Sequence, residues 1–372
     1  MGGFLVLACF VRPTLENDEP MATKDARPPG LTLLPGPAGA WDDARVSGPV
    51  VLREADGRWR MWYYGRDTGF DPEINLPTGR CGLAVSDDGL HWARVLGPLT
   101  NGAVFEPHPD PKRFDSSHVG VSDLTYENGL YWMWYLGGDQ QRTRIGQFEV
   151  KGLQLRPGCA VSRDGLHWLR LEGPYCGALL DLGAPGEPDM AVCGWPQVRR
   201  FPDGIWRMYY HSLDPARMVF VVCLAESNDG LTWTKRGEIL GPGEAGGFDA
   251  LGIGTRHIFA HQGRWLMFYE GVGEGGYRSI GLAISDNGLD WQRQPGPESN
   301  GSIFTHAPKG SGRWDAFAVG TPRVVALPDG TFRLYYVGAN ETPAGFADEL
   351  AMVHQIGVAM SDGPDFTRWE RW

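Results

Sequence analysis

The stretch SDDGLHW, from Ser86 to Trp92, recurs four more times along the chain. The other copies are SRDGLHW (Ser162 to Trp168), SNDGLTW (Ser227 to Trp233), SDNGLDW (Ser285 to Trp291) and the looser SDGPDFTRW (Ser361 to Trp369). Asp-Gly and Asn-Gly pairs favour tight turns. Self-similarity at a period of roughly 60 to 74 residues is typical of a repeat architecture. The chain is therefore predicted to consist of five copies of one unit.

Each turn closes a longer unit whose other parts also recur. The units start with an aromatic residue or proline followed by aspartate, at Trp41-Asp42, Phe114-Asp115, Pro188-Asp189, Phe248-Asp249 and Trp314-Asp315. A Val- and Gly-rich run, a Gly-containing turn and a tyrosine-bearing run such as WRMWYYG from Trp59 follow. A third run precedes the repeated turn, and a fourth follows its tryptophan. Four apolar runs separated by tight turns predict four antiparallel strands, the content of one propeller blade.

The predicted fold class is all-β: a single five-bladed β-propeller with four antiparallel strands per blade and little helix. The 53 glycines and 28 prolines among 372 residues suit a chain rich in turns. We place the blades at approximately 42–110, 111–183, 184–244, 245–310 and 311–372, with residues 31–36 closing the ring against the last blade. Residues 1–30 are expected to form a disordered lead, because this segment is largely polar and rich in proline after its first residues.

The lead contains an apolar run, Phe4 to Val11, that is far shorter than the roughly 20 residues of a membrane span. No Lys or Arg precedes this run, so a signal peptide is not indicated. We therefore expect a cytoplasmic protein without a membrane partner. A weak export signal stays open, as does the choice between Met1 and Met21 as the start of the chain.

Charge and cysteine content narrow the classes of partner. A net charge of −11 and a pI near 5.3 argue against nucleic acid, whose phosphates require a basic surface. The six cysteines show neither CxxC nor Cys/His metal spacing, so disulfides and a metal site are not expected. No nucleotide, flavin or haem motif is present, and no cofactor is predicted. A cation in the central channel stays open, without a ligand set to support it.

Functional residues are expected where one unit departs from the others. A residue that recurs in every unit, such as the five aspartates of the unit starts or the five tryptophans of the turns, is interpreted as structural. The first strand of a blade lines the channel, and its start lies on the same rim as the end of the second strand. The non-repeating polar or aromatic residues of that rim are Asp43, Arg45, His118, Asp123, Glu187, Trp195, His211, Arg256, His257 and Glu270.

The order of these motifs resembles a known superfamily. Phe/Trp-Asp, Val-Gly-x-Pro, an MWYYG-type strand and SxDGxxW are similar to the five-bladed β-propeller glycoside hydrolases, which include the arabinanase, levansucrase and invertase families (43, 68 and 32) and the mannoside phosphorylases of family 130. The resemblance covers the chain after residue 30. It implies a glycoside hydrolase acting on a small carbohydrate or glycoside. The oligomeric state, the sugar and the linkage stay open.

The resemblance also implies three carboxylates on the first strands of blades one to three, and the matching acids are Asp43, Asp123 and Glu187. The families usually place such acids beside a proline, whereas this chain has Gly48-Pro49, Trp195-Pro196 and Thr321-Pro322 there. Glu270, which ends the apolar strand LMFYE, is a fourth candidate. In this hypothesis Glu187 or Glu270 protonates the glycosidic oxygen, while Asp43 or Asp123 activates water or attacks.

The remaining candidates are interpreted as substrate-binding residues: His118, Trp195, His211, Arg256, His257 and Arg66. Trp195 is expected to stack on a sugar face, and His211 to exchange a proton or bind a hydroxyl group. Two alternatives stay open. One is a carbohydrate-binding propeller without turnover. The other is a phosphorylase, which needs one acid and a cationic cradle for phosphate, for which Arg66, Arg256 and Arg323 are available.

Overall fold

The computed structural model describes residues 27–71, 76–145, 148–341, 352–361, 363 and 366–372. Within these residues the chain is nearly all β, with two short 3-10 turns at Thr100–Gly102 and Glu274–Gly276. The predicted all-β class with little helix is confirmed. No helix in the described part is long and apolar enough to cross a membrane. Residues 1–26 of the predicted disordered lead lie outside the described residues.

Successive groups of four strands pair in antiparallel order, and we call these groups units one to five. A short strand β1 (Leu31–Leu33) comes before them. Unit one contains β2 (Arg45–Arg53), β3 (Trp59–Asp71), β4 (Leu76–Ser86) and β5 (Ala93–Val95). Unit two contains β6 (His118–Glu127) and β7 (Leu130–Gly138), then a separate hairpin of β8 (Arg142–Ile145) and β9 (Phe148–Lys151), then β10 (Leu155–Ser162) and β11 (Leu169–Leu171).

The last three units repeat this order. Unit three contains β12 (Gly194–Arg200), β13 (Trp206–Asp214), β14 (Val219–Ser227) and β15 (Thr234–Leu240). Unit four contains β16 (Gly252–His261), β17 (Arg264–Val272), β18 (Arg278–Ser285) and β19 (Gln292–Gln294). Unit five contains β20 (Ala318–Ala326), β21 (Phe332–Ala339), β22 (His354–Ser361) and β23 (Glu370–Arg371). Single parallel pairings, β14 with β16 and β18 with β20, join units three to five and β1 into one sheet of 13 strands.

Both faces of each unit are buried because the units pack against one another. Neighbouring residues of a strand point to opposite faces, yet Trp62 and Tyr63 in β3 are both buried. The Trp62 ring lies 5.2 Å from Tyr131 of unit two, while Tyr63 stacks on Trp41 of its own unit at 5.4 Å. The apolar runs on both faces of the second strands therefore form the core between units.

In units one, two and four the repeated turn contacts the unit before it through a glycine carbonyl. In unit two, Gly165 and Asp164 donate backbone N–H bonds to the Ser162 hydroxyl, and Trp62 Nε1 of unit one donates to the Gly165 carbonyl at 2.9 Å. Gly165 has a φ of 78°, which glycine adopts without strain. Tyr335 of unit five makes the equivalent bond to Gly89 of unit one at 2.8 Å. The last unit therefore contacts the first through the same kind of hydrogen bond, from an aromatic side chain to the carbonyl of the turn glycine.

The aspartate that opens each unit is a buried structural anion. In unit two, Asp115 Oδ2 accepts hydrogen bonds from Tyr135 Oη at 3.0 Å and Arg170 Nε at 2.7 Å. The equivalent sets are Asp42 with Tyr63 and Arg94, Asp189 with Tyr210 and Lys235, Asp249 with Tyr269 and Arg293, and Asp315 with Tyr336 and Arg371. Each set ties a unit start to the second and fourth strands. The structural interpretation of these residues agrees with the geometry.

Strand β1 lies on the outer edge of unit five. It pairs antiparallel with β22, with Leu31 opposite Gly357, and Leu31 and Leu33 are each 3% exposed. The pairing joins the N-terminal end of the described chain to the last unit.

Candidate active site at the central pocket

The first strands of the five units, β2, β6, β12, β16 and β20, surround a central pocket. Each contacts the next, and β20 contacts β2. All five carry an irregularity at the same point of their pairing, such as that between Gly194 and Gln197 in β12. Such β-bulges redirect side chains and are frequent beside active sites. The pocket has a volume of about 20 Å³, room for about one water molecule.

The bulges contain strained residues. Trp195 has a φ of 46° and Thr321 a φ of 47°, although neither is glycine, and Gly48 has a φ of 58° at the equivalent place. Each of the three precedes a proline, which disfavours helical conformations for the preceding residue. Non-glycine residues in the left-handed region cost on the order of 1–3 kcal/mol and cluster at functional sites. All three line the central pocket.

Below the bulges, one residue from each first strand forms a buried layer. Its members are Val50, Asp123, Gln197, His257 and Arg323. Three of them accept a backbone N–H from the next unit: Asp123 from Val198 at 3.1 Å, Gln197 from Ile258 at 2.6 Å, and His257 Nδ1 from Val324 at 3.1 Å. Burial lowers the pKa of His257 well below its ordinary value, so the ring is neutral. This layer connects the units.

Asp123 is the anion of that layer. Its carboxylate is fully buried and accepts hydrogen bonds from Arg323 Nη1 at 2.8 Å and from Arg199 Nη1. Burial opposes its ionisation, but the two guanidinium groups lower its pKa below the ordinary value. With Val198 N–H as a third donor, the oxygens of Asp123 are occupied inside the protein.

Above the bulges, the ends of the second strands form the rim of the pocket. The residues at this position are Tyr64, Leu136, His211, Glu270 and Val337. His211 lies edge-on to Trp195 with ring centres 5.1 Å apart and stacks on Phe220 at 4.6 Å. Burial, with Arg256 nearby, lowers the pKa of His211 to about 3. Its neutral ring can donate or accept a hydrogen bond at neutral pH.

The Glu270 side chain lies between the first strands of units four and five. Its Oε2 accepts hydrogen bonds from Thr255 Oγ1 at 3.0 Å and from Thr321 N–H at 3.1 Å, and its Oε1 lies 3.4 Å from Arg278 Nη1. The carboxylate fits because Gly320 has no side chain: a Cβ there would lie 2.1 Å from Oε2. Glu270 is 7% exposed.

Arg256 is a buried cation whose charge is not paired. It is 6% exposed, and its Nη2 donates to the carbonyl oxygens of Trp195 and of Tyr209, the latter at 2.6 Å. Among the described residues, its Nε and Nη1 have no hydrogen-bond partner and no carboxylate forms a salt bridge with it. Burial lowers its pKa to about 9. A buried charge is costly unless it is paired, so this guanidinium favours an anionic partner.

More cationic and imidazole side chains lie around the rim. Arg45 and Arg66 are opposite each other in β2 and β3, and both are buried. Burial and then Arg66 lower the pKa of His118 to about 3. His354 has a pKa well below its ordinary value because of its burial, with Arg45, Arg278 and Arg66 adding to the effect. Among the described residues, the rim therefore carries positive charge beside the Glu270 carboxylate.

The sequence analysis did not select Arg278 and His354. They occupy the same register position of the third strand, where the other units have Gly79, Leu155 and Phe220. The same comparison between units, extended from the first and second strands to the third, identifies both.

Two of the expected catalytic acids lie elsewhere. Asp43 accepts backbone N–H bonds from Gly39 at 2.8 Å and from Thr68 of β3 at 2.9 Å, so both of its oxygens bond to nearby backbone. Glu187 is exposed and accepts the Ala184 N–H at 2.8 Å. In the described part of the chain no contact joins either residue to Glu270. Of the four acids expected to be catalytic, Glu270 is the one on the pocket rim.

Comparison with known proteins gives a family and a fold. No family model matches the chain. It is 30% identical over 257 residues to the uncharacterized protein Rv1502 of Mycobacterium tuberculosis, a match of 68% of this chain and 76% of that protein. It is 26% identical over 199 residues to a 1,2-beta-oligomannan phosphorylase of a Thermoanaerobacter species, covering 53% of this chain and 58% of the relative.

Solved structures share the fold at low sequence identity. One, described as a glycoside hydrolase, has a TM-score of 0.63 at 20% identity and matches 90% of this chain and 93% of its own. Another, from a study of family 130 mannoside phosphorylases and of glycoside hydrolases that target beta-1,2 mannosidic linkages in Candida mannan, has a TM-score of 0.60 at 17% identity, with 91% and 98% matched. The chain shares the fold of these propeller-type glycoside hydrolases. It belongs to the family of the mycobacterial protein Rv1502.

Proposed function

We propose that the protein is a glycoside-active enzyme whose active site is the rim of the central pocket. Glu270, His211, Trp195 and Arg256 meet there, and each is a departure from the repeat. Trp195 presents an aromatic surface suited to a sugar ring, and neutral His211 beside it suits a sugar hydroxyl group. The relation to an oligomannan phosphorylase and the fold shared with glycoside hydrolases support a carbohydrate substrate.

The five units are proposed to be the blades of one closed propeller, with boundaries near 42–110, 111–183, 184–244, 245–310 and 311–372. The ring of contacts among the five first strands supports closure. So does the docking of the unit-one turn onto Tyr335 of unit five. In this arrangement β1 completes the outer edge of the last blade next to β23.

Phosphorolysis is the reaction that this site supports best. Hydrolysis by an acid and a base needs two carboxylates roughly 5–9.5 Å apart across the sugar bond. Asp43 accepts two backbone N–H bonds, and Glu187 is exposed on a loop. The Asp123 carboxylate already accepts hydrogen bonds from Arg199 and Arg323. Phosphate as the nucleophile replaces the second carboxylate, and it requires cations instead.

The single observation that carries this proposal is the unpaired buried guanidinium of Arg256. A phosphate oxygen bound there attacks the anomeric carbon while the bond from that carbon to the glycosidic oxygen breaks. Glu270 relays a proton: its carboxyl group gives a proton to the leaving oxygen and regains one from the attacking phosphate, and Arg278 orients it. The products are a sugar 1-phosphate and a shortened glycoside.

The experiment measures sugar 1-phosphate and free sugar from β-1,2-linked oligomannan, with other β-mannosides and arabinan oligosaccharides beside it, with and without inorganic phosphate. We expect sugar 1-phosphate whose rate rises with phosphate concentration. Arg256→Ala is expected to raise the KM for phosphate at least about tenfold, since loss of a charge-assisted contact costs about 1.5–3 kcal/mol.

Arg58→Gln is the matched control, because Arg58 is exposed on a turn and pairs with Asp56. Its phosphate KM should equal that of the wild type. Free sugar released without phosphate would instead indicate hydrolysis. Oligosaccharide binding without turnover of any substrate would indicate a binding protein.

A further inference from the structure

A second and larger cavity lies outside the central pocket, between units four and five. We call it the outer cleft; its volume is about 620 Å³. Its sides include Glu274, Tyr277, Glu298, Asn300, Thr305 and Lys309. Cavities of about 300–1,000 Å³ are the size that holds small ligands. The residues of the proposed active site do not line it.

The floor of the outer cleft is built from hydroxyl and amide groups. Ser279 Oγ and Thr305 Oγ1 are 2.9 Å apart, and Asn300 Nδ2 lies 3.4 Å from Ser279 Oγ. Ser279 is buried, whereas Asn300 and Thr305 are partly exposed. These groups combine donors and acceptors in a small area, as a polyhydroxylated ligand needs.

Carboxylates and an aromatic ring complete the walls. Glu274 and Glu298 are exposed, and within the described chain neither forms an ion pair. Tyr277 is partly exposed and lies under Lys309, whose Nζ is 3.8 Å from the centre of the ring. The cleft thus offers free carboxylate acceptors, an ammonium donor and an aromatic surface without a strong net charge. This combination suits a neutral sugar better than an anion.

The outer cleft and the proposed active site lie on opposite sides of the start of β18. Tyr277 lines the cleft, and the next residue, Arg278, reaches Glu270 on the rim. Successive residues near a strand point to opposite sides, which accounts for this division. Phe317 packs on Tyr277 with ring centres 5.0 Å apart and separates the two sites.

The connections around the rim differ in length among units one to four. The second and third strands of unit one are long, at 13 and 11 residues, and unit two adds the β8–β9 hairpin. Units three and four have only short connections there, from residue 215 to 218 and from 273 to 277. A chain bound at the rim therefore meets shorter connections over units three and four, beside the outer cleft, than over units one and two.

We propose that the outer cleft binds a further sugar unit of an oligosaccharide whose reacting linkage lies at the central pocket. This inference rests on the proposed function, because it assigns the substrate as a chain rather than a disaccharide. It makes the outer cleft the determinant of chain length.

The test uses β-1,2-mannan oligosaccharides of two to five sugar units, with β-1,4-mannan and arabinan series beside them. Phosphorolysis gives kcat/KM for each length, and calorimetry gives the affinity of the longest chain. We expect wild-type kcat/KM to rise at least about tenfold from the shortest to the longest chain. The double variant Glu298→Ala/Asn300→Ala should lose this rise and bind the longest chain at least about tenfold more weakly.

Glu127→Gln is the control, because Glu127 is exposed at the opposite end of its strand, next to the β6–β7 turn. The single variants Glu298→Gln and Tyr277→Phe keep the test decisive if the double variant fails to fold. Equal length dependence and affinity in wild type and cleft variants would overturn the inference. If no substrate turns over, the proposed function fails, and calorimetry alone decides: binding that depends on Glu298 and Asn300 supports the cleft, and its absence overturns it.

Discussion

Asp123 and Glu270 are both buried carboxylates near the centre of the molecule, but their neighbours give them different chemistry. Asp123 faces two guanidinium groups and a backbone N–H, inside a layer whose other members join neighbouring units. Glu270 lies one layer higher, between two glycines of the first strands, and faces the rim with Arg278. Asp123, deeper in the pocket, is therefore a structural anion, whereas Glu270, nearer the rim, is a candidate catalytic group.

Replacement of Asp123 tests this division at the scale of one residue. Asp123→Ala should lower the free energy of unfolding by about 3–5 kcal/mol, because it leaves Arg323 and Arg199 buried near the layer without their anion. Chemical unfolding with urea measures the change. Asp87→Ala is the control: Asp87 is exposed in a repeated turn, and its replacement should change stability by less than about 0.5 kcal/mol. Wild-type stability combined with loss of turnover in Asp123→Ala would indicate that Asp123 is catalytic rather than structural.

At the scale of the element, the bulge in each first strand determines what can reach the pocket. The residue before the position equivalent to Trp195 and Thr321 is glycine in four units, at Gly120, Gly194, Gly254 and Gly320, and serine in unit one. In units four and five this absence of side chains makes the space that Glu270 fills. The same position that lets strands approach closely therefore also admits the rim carboxylate.

Gly320→Ala should displace Glu270, because a Cβ would lie 2.1 Å from Oε2. We expect turnover to fall by roughly 10²-fold, as a misplacement of about 1 Å can cost that much. The loss of stability should be small, since the end of a flexible side chain can move. Steady-state kinetics and thermal unfolding measure the two effects.

Gly194→Ala is the matched control in unit three, where the nearest atom would be 3.4 Å away, an ordinary contact. It should affect turnover much less than Gly320→Ala. Equal effects of the two substitutions would show that the glycine serves the backbone rather than Glu270.

At the scale of the whole molecule, stability depends on joining the two ends of the chain. Units one and five meet through Tyr335 and the Gly89 carbonyl, and β1 pairs with β22. Leu31 belongs to the apolar cluster between units four and five, together with Phe304 and Tyr336. The N-terminal strand thus contributes to the core of the last unit.

Leu31→Ala should lower the free energy of unfolding by about 2–4 kcal/mol, the cost of a cavity at a side chain that is 3% exposed. Leu34→Ala, at a side chain 47% exposed, is the control and should be near neutral. Unfolding curves of the two variants give the comparison. If Leu31→Ala matched Leu34→Ala, β1 would be dispensable for the closed arrangement.

Local sequence patterns were enough to predict the repeating unit, the all-β class and the structural nature of the recurring aspartates. These follow from local patterns: turn residues fix turns, alternating apolar runs fix strands, and a residue repeated in every unit meets the same neighbours in every unit. The departures from the repeat also indicated Trp195, His211, Arg256 and Glu270. Comparison between units selects these residues, because equivalent positions share one environment and a departure stands out.

Which departures contact one another depends on the packing of the units. Glu270 contacts Arg278, whereas Asp43 and Glu187 bond to nearby backbone N–H groups, and the Asp123 carboxylate is held by arginines from units three and five. The partners of Asp123 are 76 and 200 residues away in sequence, so no local pattern encodes them. The physical reason is that the charge state and accessibility of a buried group depend on side chains from other units, and the packing of the units brings those side chains together.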